Sequence, residues 1–327
     1  MLYVVMKDLM EGKIAAHLRK ETNYRDLILS KSNLLAAWED VLSKKSSPGV
    51  DDMTVSRWGR NWEANIERLI EQVATNTYHA NRPRRINIVE KKGKIREISL
   101  LTVTDKVLQR AVLNVIEPEF ERRFLNCSHG YRRNRSTATA IQQLLSYRDK
   151  GLVWLLDADI LDCFGNIDHD ILIGLFKRVI RDPFVLLLLN KWLVAGRKYR
   201  HQAIGIPQGG VISPLLCNIY LHQMDANMSC GRWHYIRYAD DFVVMTYMRE
   251  QAEAAEDIIN KILDKLKLEF HQGKTRVTSF EQGFTFLGVD FINNSYQYVW
   301  KNKKIEVEGR KLKILYQYIP DHYSRGA

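Results

Sequence analysis

The pattern of apolar residues along this chain predicts an α+β fold. Segments with helical spacing alternate with short strand-like runs instead of separating into blocks. Residues 152–160 (LVWLLDADI) are an almost continuous apolar run ending in carboxylates, the pattern of a buried strand. Residues 233–247 (WHYIRYADDFVVMTY) place two apolar runs around a tight Ala239-Asp240 turn, the pattern of a hairpin.

Taken in order, the spacing predicts a short helix from Val5 to Leu18. A second helix in KSNLLAAWEDVLSKK has Leu35, Trp38 and Leu42 on one face, Ser32 as its cap, and Ser46-Ser47-Pro48-Gly49 as its stop. Residues 60–75 give an amphipathic helix with Ile66, Leu69, Ile70 and Val73 inward. From Pro83 to Leu100 the pattern alternates as two strands around a KKGK turn. Thr104 to Val115 returns to helical spacing, interrupted by Pro118. After the 152–160 strand comes a helix capped by Asp168 or Asp170. Ser213 as cap and Pro214 at the first helical position mark the start of another, which buries Leu216, Ile219 and Tyr220. Residues 249–268 form an amphipathic helix with Ala255, Ile259, Ile262 and Leu266 inward, and strand-like pieces with a basic tail follow.

Composition narrows the function. The 327 residues carry 49 Lys+Arg against 38 Asp+Glu, a net charge of +11. A basic chain with an ordinary apolar content points to a polyanionic partner, most simply nucleic acid. The longest apolar run, Pro183 to Leu189, is far short of a bilayer span, so no membrane partner is expected. The N-terminus lacks a secretory pattern, and Cys127, Cys163, Cys217 and Cys230 form no CxxC pair. Both point to a reducing, cytoplasmic setting without a zinc module.

The carboxylates carry the chemistry. The buried strand delivers Asp157 or Asp159 to its end, and Asp240-Asp241 sit at a hairpin tip. Adjacent acids against apolar strands raise one another's pKa unless a cation neutralises them. Mg²⁺ suits such a site, because it takes few carboxylates and completes its shell with water and phosphate oxygens. A two-metal arrangement of this kind serves phosphoryl transfer.

The blocks around these acids resemble the bacterial reverse transcriptases of the group II intron-like class, in order and spacing. DADILDCFGNIDHDIL (157–172), GIPQGGVISPLLCNIYLH (205–222) and IRYADDFVVM (236–245) resemble the palm of that family. SSPGVDDMTVSRW (46–58), KKGKIREISLLTVTDKVLQRAVLNVIEPEFE (91–121) and HGYRRNRSTATAIQQL (129–144) resemble its N-terminal extension and finger motifs. KTRVTSFEQGFTFLGVDF (274–291) resembles its final palm motifs. The resemblance implies a right-hand polymerase fold: an N-terminal extension at 1–30, fingers at 31–150, palm at 151–291, and a short basic segment at 292–327 as a rudimentary thumb. It implies a short form without maturase or endonuclease domains.

The resemblance also implies roles. Asp159 and Asp240 would hold two Mg²⁺ ions (or Mn²⁺), with Asp241 assisting and the Ile160 carbonyl as a further ligand; Asp157 would be structural. Phe164 would be the steric gate that selects dNTPs, and the backbone at Asp162 and Cys163 would face the triphosphate. Lys91 and Arg96 would contact the same phosphates, while Gln208 and Gly209, with Gly210, would hold the incoming nucleotide and template. Lys274 would protonate pyrophosphate or contact phosphate. Phe286-Leu287-Gly288 would be the primer grip, and Arg132, Arg133 and Arg135 would bind template backbone. The implied partners are an RNA template, a DNA or RNA primer and dNTPs, with a structured noncoding RNA or a partner protein in place of the thumb. The implied activity is RNA-directed DNA synthesis, in phage defence, CRISPR spacer acquisition or a retroelement. The alternatives are an RNA-dependent RNA polymerase, against which Phe164 argues, and a silent RNA-binding scaffold, against which the intact acids argue. In one departure from the family pattern, Gly165 stands where an acidic residue often follows the gate.

Overall fold

The computed structural model describes residues 23–308 apart from 90–92, 94, 200, 230–232 and 301–302. The helix expected at Val5–Leu18 and the tail beyond Glu308 lie outside the described residues. Four helices come first: α1 (Tyr24–Leu29), α2 (Lys31–Ser43), α3 (Val55–Gly59) and α4 (Trp62–Ala74). A hairpin of β1 (Arg84–Val89) and β2 (Ile95–Leu100) leads into the long α5 (Val103–Glu121) and then α6 (Thr137–Arg148). The central sheet begins with β3 (Trp154–Asp159), followed by α7 (Cys163–Asn166), α8 (His169–Lys177), α9 (Pro183–Gly196) and α10 (Ser213–Met228). The hairpin β4 (His234–Tyr238) and β5 (Asp241–Thr246), α11 (Arg249–Lys265) and β6 (Arg276–Ser279) complete that sheet. A meander of β7 (Phe284–Phe286), β8 (Val289–Ile292), β9 (Ser295–Trp300) and β10 (Lys303–Glu308) forms a separate four-stranded sheet. The fold is α+β, as the pattern predicts.

The central sheet is antiparallel, ordered β4-β5-β3-β6, and is covered on both faces. Strand residues alternate between the two sides. Leu156, Phe242 and Val244 pack with Tyr220 of α10 and Ala255 and Ile259 of α11. Leu155, Ile236, Val243 and Met245 pack on the other side with Ile141 and Leu144 of α6 and with Phe284, Phe286 and Phe291 of the meander. This two-sided burial explains why 152–160 reads as a continuous apolar run. No helix among the described residues is long and apolar enough to cross a membrane.

Four local expectations are corrected. In α2 the cap is Ser30, whose side chain accepts from the Asn33 N–H, not Ser32. Its inward face is Leu34, Ala37, Trp38 and Val41, while Leu35 and Leu42 are exposed. Both stripes contain Trp38 and have helical spacing, and packing against α5 selects between them. Pro118 does not interrupt α5, which runs on to Glu121. A proline removes one backbone bond, and buried Ile116 and Phe120 on either side hold the last turn in place. Ser213 is the first residue of α10 instead of its cap, and the N–H of the preceding Ile212 is taken by the buried Gln109 side chain at 3.3 Å.

Candidate active site

Antiparallel pairing of β3 with β5 brings the acids together. Asp159 is the cross-strand partner of Asp241, and Asp157 is the partner of Val243. Cross-strand partners share a face, and so do residues two apart. Asp157, Asp159 and Asp241 therefore lie on one face at the end of the sheet. Asp240 sits in the β4–β5 turn, where Ala239 has the left-handed φ of 59°. The Ile160 N–H donates to the Asp240 carbonyl at 3.3 Å, tying the turn to the end of β3.

Charge repulsion at this point is large. Burial, then Asp159, raises the Asp240 pKa. Burial raises Asp241 well above the usual carboxylate range, and Asp157, Asp159 and Asp240 add to it. Burial pushes Asp157 up to about 6 despite Arg276, which pairs with it at 3.5 Å and supports a structural part for that acid. The counter-charge comes from Lys274, whose ammonium pairs with the Asp159 carboxylate. Lys274 reaches this point because the Phe270–Lys274 turn is pinned to the end of β3. Ile160 bridges to Phe270, and the His271 N–H donates to the Asp159 carbonyl at 2.8 Å.

Asp159, Ile160, Asp162, Cys163, Phe164, Arg96, Gln208, Asp240 and Lys274 line one open cleft of about 460 Å³. Residues from β2, α7 and the loop before α10 thus converge on the carboxylates. Among the described residues no three His, Cys, Asp or Glu groups form a ready-made metal cage. The donors at hand are carboxylate oxygens under mutual repulsion. They fit a hard divalent ion that draws its remaining ligands from substrate and water, and not a soft one.

The nucleotide side of the cleft is held together by backbone. The Ser99 N–H on β2 donates to the Gln208 carbonyl at 2.7 Å. Gly209 has φ of +105°, and a Cβ there would lie 2.8 Å from the Ser99 carbonyl oxygen, so only glycine lets this loop dock on the hairpin. Gly209 thus supports the cleft and does not line it. Phe164 is buried, edge-on to the Tyr131 ring at 6.3 Å. The Asp162 carboxylate occupies the space that a side chain on Gly165 would need, which accounts for the glycine after the gate.

Several expected residues fall elsewhere. Lys91 lies outside the described residues. Asp241, the cross-strand partner of Asp159, is absent from the cleft lining. Arg132 is corrected: its side chain is 5% exposed, paired with Glu121 at 2.7 Å and donating to the Leu125 and Ser128 carbonyls, so it braces a loop. Arg133 is exposed and Arg135 half-buried, and both are engaged, with Glu117 and Asn126. Phe286 packs in the core, and Leu287 and Gly288 form the β7–β8 turn.

Two residues escape the sequence reading. Lys198 lines the cleft and pairs with Asp162. Arg85 on β1 fixes its loop by donating to the carbonyls of Arg197 at 2.8 Å and Lys198 at 3.3 Å. No periodicity marks such a loop residue. Arg237 is fully buried against Asp225. An arginine inside an apolar strand is a signal that could have been used.

Comparisons with known proteins show the family and the fold. The family model for reverse transcriptase (RNA-dependent DNA polymerase) matches residues 88–291. The group II intron-encoded protein LtrA of Lactococcus lactis subsp. cremoris is 29% identical, over 78% of this chain and 54% of its own length. The chain therefore spans about half the length of that relative. Protein YkfC of Escherichia coli K12 is 29% identical, over 83% of each chain. Among solved structures, telomerase from Candida albicans superposes with a TM-score of 0.50 at 12% identity, covering 72% of this chain and 48% of the telomerase chain. That likeness concerns the fold of fingers and palm.

Proposed function

Because the chain belongs to the reverse transcriptase (RNA-dependent DNA polymerase) family, we propose that it is an RNA-directed DNA polymerase, extending a primer with dNTPs on an RNA template. The observation that supports this best is the convergence of Asp159, Asp240, Lys274, Arg96 and Phe164 on one cleft. The primer 3′-oxygen attacks the α-phosphorus, and the bond to the β-phosphate oxygen breaks, releasing pyrophosphate. Divalent cations, Mg²⁺ or Mn²⁺, held by Asp159, Asp240 and the Ile160 carbonyl, supply Lewis acidity for that displacement when bound. Asp241 supports Asp240 from behind. Arg96 and Lys91 bind the triphosphate with the backbone at Asp162 and Cys163, and Gln208 and Gly209 fix the loop against which the nascent pair sits. Lys274 supplies charge and a proton to the departing pyrophosphate.

The test is primer extension on an RNA template with labelled dNTPs and Mg²⁺, run beside the Asp240→Asn, Asp241→Asn double variant. Extension that vanishes in the variant is expected. Extension with rNTPs alone, or none with any primer and template, would overturn the proposal. The cDNA would serve phage defence, spacer acquisition or a retroelement, and sequencing the RNA that copurifies from the native host separates these roles.

Two further outcomes follow from the cleft. A Phe164 ring that acts as the gate against the 2′-hydroxyl predicts that Phe164→Val should raise rNTP over dNTP use by about tenfold or more, a loss of discrimination of about 1.4 kcal/mol or more. Competition between the two nucleotides in single-addition assays measures it. Lys198 adds a cation where the triphosphate is expected, so Lys198→Ala should raise the dNTP KM roughly tenfold with little change in kcat. Steady-state kinetics on a fixed primer–template checks the split.

A further inference from the structure

We propose that Arg237 is the positioning residue of the catalytic turn: buried beneath the hairpin, it holds Asp240 in place through the carbonyl of Ala239. The inference rests on the reading of Asp240 as a metal-holding carboxylate.

Arginine has five N–H donors, and in Arg237 each one meets an acceptor. Nε and Nη2 donate to the two Asp225 oxygens at 2.7 and 2.6 Å. Nη2 also donates to Ser128 Oγ at 2.9 Å. Nη1 donates to Asn218 Oδ1 at 2.9 Å and to the Ala239 carbonyl at 3.0 Å. Asp225 on α10 fixes the guanidinium in its plane, and the guanidinium then fixes the peptide that leads into Asp240. That peptide needs fixing, because Ala239 is left-handed and a non-glycine residue there is strained.

The same network reaches the segment 127–131. The Arg237 N–H donates to the Cys127 carbonyl at 2.7 Å, and the His129 N–H donates to the Arg237 carbonyl at 2.8 Å. Asn218 Nδ2 donates to the Gly130 carbonyl at 2.9 Å. A Cβ on Gly130 would lie 2.4 Å from the Ala239 nitrogen, so this segment lies directly against the turn. Tyr131 at its end contacts the Phe164 ring. One buried guanidinium therefore connects the turn, α10 and the segment that supports the gate. Lysine could keep the charge beside Asp225, but its compact ammonium lacks the planar fork that reaches Ala239, Asn218 and Ser128 together.

The experiment compares wild type, Arg237→Lys, and the double variant Arg237→Met with Asp225→Leu, which removes both charges so that neither is left buried and alone. Mn²⁺ binding is read from the free-ion EPR signal, without nucleotide or template, and Asp240→Asn reports which binding belongs to this site. Melting temperature and circular dichroism report folding. Both Arg237 variants should fold yet bind Mn²⁺ roughly 10- to 100-fold more weakly, with kcat lowered to a similar extent. A purely stabilising arginine would lower the melting temperature and leave Mn²⁺ affinity alone, so a folded variant with wild-type Mn²⁺ affinity would overturn the proposal. Wild-type protein that binds Mn²⁺ through Asp240 yet incorporates no nucleotide would instead sink the polymerase reading, while weaker Mn²⁺ binding in the folded Arg237 variants would still support the positioning one.

Discussion

Asp240→Asn should lower nucleotide incorporation by roughly 10³-fold or more, the equivalent of several kcal/mol of lost charge stabilisation. The same substitution should raise the melting temperature of the metal-free protein. In the folded chain Asp240 is raised above its ordinary pKa by burial and by Asp159, so its charged form is destabilised by folding. For an acid shifted in this direction, the folded state is favoured when the group is protonated. That advantage is complete below the unfolded pKa and is lost as pH rises through the folded value. The variant should therefore melt higher than wild type at neutral pH, and the gap should close on acidification. Adding Mg²⁺ should close it too, since an ion that binds only the folded wild type stabilises it by mass action. Thermal melts across pH, with EDTA and with Mg²⁺, alongside single-addition kinetics, test both halves. A variant no more stable than wild type in EDTA at neutral pH would show that the repulsion at the turn is already relieved.

Asp225→Ala should destabilise the fold by about 3–5 kcal/mol, because it leaves the Arg237 guanidinium buried without its counter-charge. Both side chains are 0% exposed, so water does not reach the orphan. A loss of this size is a large part of the stability of an ordinary domain, about 5–15 kcal/mol. The melting temperature should fall by roughly 10 °C. Urea titration followed by circular dichroism measures the loss directly. Arg133→Ala, which breaks an exposed pair with Glu117, provides the contrast, with an expected change within about 1 kcal/mol. Equal losses in the two variants would mean that the orphaned guanidinium carries no special cost.

Much of the site can be read from the sequence because its acids lie at the ends of apolar strands, where period-two patterns are strong. The β3 run and the β4–β5 hairpin place Asp159 beside Asp241 once the strands pair, and pairing is what apolar strands of that length do. The choice between Asp157 and Asp159 came from the family resemblance, since both share the same face of the sheet. What the pattern misses is set by tertiary partners. The two stripes of α2 have the same spacing, and the position of α5 decides between them. Arg132 is basic and lies in a loop, yet Glu121 and two carbonyls claim it. Lys198 gains its position from Arg85, more than a hundred residues earlier in the chain. Such contacts leave no periodic trace.

The strand order has a consequence for how the chain becomes active. Strand β3 is flanked by β5 and β6, so it gains its first partner only when residues 241–246 exist and its second only with residues 276–279. Its pairings are all non-local, a topology that slows folding because long loops must close before any contact rewards them. During synthesis the helices before β3 can form while the strand waits for its neighbours. The reaction centre is thus among the last features to assemble: a nascent chain halted before Phe270 lacks both β6 and Lys274, the counter-charge of Asp159.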